Sequence, residues 1–142
     1  MRSLNHLTNL ADLLTLAVED MEAIKANPDY IFNTSVWHSP TKDKCIACVA
    51  GSIMANTLKA PISVFLSPAN FPERTQWMLH LINKLRLGES LSTRPAYKQS
   101  FNLPITDSQL HSLHQGINMR ELRYGDTNQW ERLRDNAKEL GL

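Results

Sequence analysis

The sequence predicts a mainly α protein: one domain over residues 1–142 with about five helices, a buried central helix at 44–59 and at most a short extended segment. Three observations carry this reading. Apolar residues recur every three or four positions in several stretches, the period of a helix buried on one face. Thr106-x-x-Gln109 and Asp126-x-x-Gln129 place a capping side chain just before such stretches. A chain of 142 residues is long enough to bury its own core.

The first helix is expected over 4–26, where Leu4, Leu7, Leu10, Leu14, Ala17, Met21 and Ile24 form one stripe. Ser3 is its expected cap, and Asn27-Pro28 its stop. Residues 28–44 read as an irregular connection, with Tyr30-Ile31-Phe32 and Val36-Trp37 able to extend and Ser39-Pro40-Thr41-Lys42-Asp43 as turn chemistry. The helix at 44–59 carries little polar surface. Its small residues Ala47, Ala50, Gly51, Ser52 and Ala55 predict close approach of a neighbouring helix, because Gly inside a helix costs about 1 kcal/mol against Ala. Pro61-Ile62-Ser63-Val64-Phe65-Leu66 reads as a strand or a buried turn.

Pro72 and Glu73 open a third helix with Trp77, Met78, Leu81, Ile82 and Leu85 inside, and Gly88 stops it. Residues 89–105 show no period and read as a long loop. Thr106 opens a fourth helix with Leu110, Leu113 and Ile117 inside, ended or weakened by Gly116. Asp126 opens the last, with Trp130, Leu133, Ala137 and Leu140 on one face. Helices 1, 3 and 5 are expected to pack around helix 2.

Composition narrows the function classes. The chain has no apolar run long enough for a membrane span and no secretory leader pattern, so no membrane partner is expected. Two cysteines three apart cannot staple a fold, so a reduced, cytoplasmic protein is expected. A formal net charge of +1 argues against a general polyanion binder. The charge is uneven: Asp12, Glu19, Asp20, Glu22 and Asp29 make the first segment acidic, while Arg74, Lys84, Arg86, Arg94 and Lys98 make the third quarter basic. Gly-x-Ser-x-Gly, Gly-x-Gly-x-x-Gly and the P-loop pattern are all absent, so neither an enzyme nor a cofactor is expected.

Several chemistries compete for the remaining polar residues. Cys45-x-x-Cys48 offers a thiol site, or half of a zinc site completed by His111-x-x-His114, with His38 and His80 as further donors. The plainer reading buries both cysteines in an apolar helix. Lys84, Arg86, Arg94 and Lys98, with Tyr97 and Phe101 interleaved, offer phosphate and base contacts for a nucleic acid. A loose helix-turn-helix around Gly116 is undercut by the mixed charge of Arg120, Glu121, Arg123 and Asp126. The favoured reading is a pocket: Trp37 and His38 at its mouth for stacking and hydrogen bonding, Arg94, Tyr97 and Lys98 for an anion. The competing role for Trp37 is to anchor its loop on the core.

Trp37-His38, Cys45-x-x-Cys48-x-Ala50-Gly51 and Met54-Ala55, with Trp130-x-x-Leu133-Arg134-x-Asn136-Ala137, resemble a group of small bacteriophage and prophage proteins. The resemblance covers roughly half the chain and carries no functional residues. It implies a cytoplasmic protein made during infection or lysogeny. By analogy, such a protein binds and occludes a host protein or sequesters a small anionic, nucleotide-like ligand. The expected function is therefore non-enzymatic binding. A zinc- or thiol-dependent site and a nucleic-acid accessory role are the alternatives, and the leucine-rich first helix leaves a homodimer open.

Overall fold

The computed structural model describes residues 2–89 and 105–142. Among them are six α-helices: α1 (Leu10–Ala26), α2 (Val49–Asn56), α3 (Glu73–Leu87), α4 (Asp107–Leu113), α5 (Met119–Arg123) and α6 (Thr127–Glu139). Three short strands, β1 (Tyr30–Phe32), β2 (His38–Pro40) and β3 (Cys45–Ala47), form one sheet in the order β1-β3-β2. A 3₁₀ turn occupies Pro68–Asn70. The protein is thus mostly helical, with a small sheet added. Among the described residues, no helix is long and apolar enough to cross a bilayer.

Local signals set several boundaries as expected. Thr106 and Gln109 make the reciprocal capping box of α4, and the Asp126 carboxylate accepts the Gln129 N–H at 3.1 Å to start α6. Pro72 precedes α3, and Gly88 closes it in the left-handed conformation at φ 67°.

Several elements differ from expectation: α5 is an additional helix, α4 stops at Leu113 and leaves Ile117 outside it, Ser39-Pro40 lies in β2 instead of a turn, and two helices start later than expected. The first helix starts at Leu10, not Leu4, capped by Asn9, whose side chain accepts the Asp12 N–H at 2.8 Å. Leu4 and Leu7 are still buried, but in a turn whose polar backbone is served from α3. Thr75 Oγ1 accepts the Leu4 N–H at 2.8 Å, and the Arg74 guanidinium donates to the Asn5 and Leu7 carbonyls at 2.8 and 3.0 Å. The helix expected at 44–59 begins only at Val49. Cys45–Ala47 is instead the central strand, parallel to β1 (Tyr30↔Cys45) and antiparallel to β2 (His38↔Ala47). Pairing along both edges outweighs the helical period of so short a run.

The core joins the apolar stripe of α1 to Ile53 and Met54 of α2, Met78, Leu81 and Ile82 of α3, and Trp130 and Leu133 of α6. Its packing centres on α1, which contacts α2, α6 and β1, and not on the second helix around which the first, third and last were expected to pack. α2 meets α1 and α3, while α6 rests on α1, α4 and α5. One carboxylate, Asp20, is buried where α1 meets the end of α2. It accepts from Asn56 Nδ2 at 2.8 Å and from the Thr57 hydroxyl at 2.5 Å. Burial raises its pKa against the opposing pull of those two donors.

Candidate functional site

Two regions that carry polar side chains bear on function. The first contains Trp37, His38, Cys45 and Cys48, which β2, β3 and the start of α2 bring together. Cys48 is the N-cap of α2, its sulfur accepting the Gly51 N–H at 3.3 Å. The Trp37 carbonyl lies over this turn and accepts the Cys48 N–H at 3.3 Å. It lies so close that a Cβ on Gly51 would stand 1.6 Å from the carbonyl oxygen. The small residues of α2 thus admit a loop carbonyl at Gly51, where the sequence predicted a neighbouring helix. The Trp37 indole is half-buried and meets the His80 ring edge-on at 5.7 Å. It shares a shallow cleft of about 140 Å³ with Ser35, Cys48, Asn83 and Arg86.

His38, expected at a pocket mouth, is 0% exposed. Its Nδ1 faces the Val64 carbonyl at 2.9 Å, and the Cys45 sulfur lies 3.6 Å from both ring nitrogens. The ring therefore belongs to the interior and ties β2 to the segment after α2. Burial holds its pKa below the ordinary imidazole value. The unfolded chain takes up this proton near pH 6.5, before the native state does, so stability falls as pH drops through about 6.5 towards the lowered native value. Denaturant midpoints measured at about pH 8 and about pH 5.5 should fall more for the parent than for His38→Asn, which keeps a donor towards Val64 and does not titrate. Equal falls would remove His38 as the cause.

Both cysteines are free and buried, and burial raises both thiol pKa values. For Cys48 the Gly51 amide and the Arg86 charge pull the other way without prevailing. Buried thiols of this kind are poor nucleophiles. His111 and His114 line a different cleft from the one that holds Cys48. Among the described residues, no three His, Cys, Asp or Glu side chains are grouped to hold a metal ion. The geometry gives the zinc reading no support.

The basic segment is divided. Arg94, Tyr97, Lys98 and Phe101 lie outside the described residues. Lys84 pairs with Glu89, and Arg86 donates to Asn83 Oδ1 at 3.2 Å and to the Arg123 carbonyl at 3.1 Å. These described members brace the end of α3.

The second region holds His111 and His114, which the sequence offered only as metal donors, in a cleft that the sequence did not indicate. The C-terminus of α3, α4 and α5 enclose a cleft of about 390 Å³. Leu87, Leu110 and Met119 give it apolar walls, and His111, His114, Asp107 and Arg123 add polar ones. His114 is structural: its ring nitrogens meet the Leu110 and Leu85 carbonyls at 3.0 and 2.9 Å, joining α4 to α3. Asp107, in the first turn of α4, has an interaction of its own. Arg123 is exposed, and its guanidinium has no ion-pair or hydrogen-bond partner among the described residues. Apart from the His111-x-x-His114 spacing, no sequence pattern marks this cleft, because three separate helices each contribute an end to it. Comparison of the chain with protein-family models, curated proteins and solved structures finds no match.

Proposed function

We propose that this chain is a non-enzymatic binding protein whose α3–α4–α5 cleft takes a small anionic ligand with an apolar body. One observation carries the reading: Arg123, in no ion pair among the described residues, lines the same cleft as Leu87, Leu110 and Met119, with Asp107 the one carboxylate on its described wall. A guanidinium beside apolar walls fits a carboxylate or phosphate attached to a ring or aliphatic group. His111, exposed on α4, adds a second donor. The volume lies at the lower end of the range for small-molecule pockets, which suits a ligand of nucleotide-monophosphate size or less. The resemblance to phage and prophage proteins supports a sequestering role for such a pocket. Arg94, Tyr97 and Lys98 remain proposed anion contacts on their residue types alone, outside the described residues, and Trp37 belongs to the smaller cleft.

The test is a titration of the labelled protein with nucleoside monophosphates and aromatic carboxylates, followed by methyl NMR. Ligands should shift the Leu87, Leu110 and Met119 signals, and Arg123→Gln should weaken binding about ten- to hundredfold by removing a charge-assisted contact. Full affinity in Arg123→Gln, or no shift with any compound, rejects the pocket.

A further inference from the structure

The segment after α2 does not bury its apolar run. Residues 61–65 are all exposed, with Phe65 at 59%, Ile62 at 42% and Val64 at 40%. The segment is held in place despite its exposure. The Leu66 N–H donates to the His38 carbonyl at 2.9 Å, and the buried His38 ring engages the Val64 carbonyl. The antiparallel bridge between His38 and Leu66 runs the loop back alongside β2, towards the turn at 41–44. That turn is closed by the Thr41 N–H to the Lys44 carbonyl and begins about 10 Å from the bridge, at three residues of extended chain. It exposes Lys42 and Lys44, while Lys59 is exposed two residues before Pro61. Asp43 is the one acidic residue among them.

We propose that residues 61–65 form a docking loop for a bilayer bearing anionic headgroups, with Phe65, Ile62 and Val64 entering the interface and Lys42, Lys44 and Lys59 meeting the phosphates. Charge and composition select the occupant. Lysine is depleted at protein–protein interfaces, whereas at a lipid surface its stem lies along apolar matter and its ammonium reaches the headgroups. Lys42 and Lys44, on the turn that the loop runs towards, complement a negative surface, and Lys59, two residues before the loop and within range of the Asp20 charge, adds a third cation. The proposal is independent of the α3–α4–α5 cleft, to which none of these residues belongs.

Co-sedimentation of the full chain with phosphatidylcholine vesicles, with and without phosphatidylserine, tests it. Binding is expected only to the phosphatidylserine vesicles and should weaken as salt is raised. Replacing any one of the three lysines by Gln should lower affinity about fivefold. Phe65→Ser should lower it about tenfold, with the thermal transition unchanged because the side chain is exposed. No binding to phosphatidylserine vesicles overturns the lipid assignment and points to a protein groove as the occupant. Binding that Phe65→Ser leaves intact also overturns it, since charge alone would then account for adhesion.

Discussion

Gly51→Ala should destabilise the protein by about 3 kcal/mol or more, although alanine is the better helix former by about 1 kcal/mol. The new methyl carbon would stand 1.6 Å from the Trp37 carbonyl oxygen and 2.8 Å from its carbon. Both are backbone atoms, so no side-chain rotation relieves the contact. The carbonyl is itself held by the Cys48 N–H, and β2 follows directly, so moving it disturbs the sheet as well as the helix cap. A loss of that size is a large part of the roughly 5–15 kcal/mol that typically separates a folded domain from its unfolded state. Gly141 supplies the control. It is left-handed at φ 71°, and a Cβ there would meet nothing within 4 Å, so Gly141→Ala should cost only the conformational 1–2 kcal/mol or so. Urea denaturation of the two variants checks the order. A Gly51→Ala protein as stable as its parent would mean that Trp37 does not approach the helix this closely.

Trp130→Ala should cost about 3–5 kcal/mol, the range for removing a buried aromatic side chain. Trp130 is among the largest fully buried side chains, and its indole N–H donates to the Leu122 carbonyl at 3.0 Å. It therefore fixes α6 on α5 while filling the core. Trp130→Phe keeps most of the volume but loses the donor, so it should fall between parent and Ala variant. Thermal unfolding measured for all three separates packing from hydrogen bonding. Trp130→Phe as damaging as Trp130→Ala would assign the effect to the hydrogen bond.

Much of this fold was readable in the sequence wherever one short segment decides the outcome. Thr106 and Gln109 cap each other, Asp126 reaches three residues on, and Gly88 turns left-handed at the end of α3. Each needs only its own neighbours. Local signals fail where distant residues decide. Leu4 and Leu7 keep the helical spacing, yet α3 takes up their backbone polar groups, and Asn9 then starts the helix. Cys45, Ile46 and Ala47 fit a helix as well as a strand until β1 and β2 flank them. Gly51 correctly marked a close approach, but its partner was a loop carbonyl fourteen residues back. Candidate-site residues show the same division. His38 was conspicuous because polar, and the fold spends it inside. Arg123 was inconspicuous because charged residues surround it in sequence, and only the meeting of three helix ends gives it a cleft to face.

The seating of α6 on α1 also constrains how the chain matures. During synthesis α1 emerges before α6, and the helix that covers one of its sides follows about a hundred residues later. Until then its leucines have only α2 and the sheet for cover, so a nascent chain exposes sticky surface until the last of these helices is made. Contacts between elements so far apart in sequence also raise the contact order and slow the search for the native arrangement. Completion of the core is therefore a late event, and ribosome-associated holdases have their longest opportunity on the uncovered side of α1.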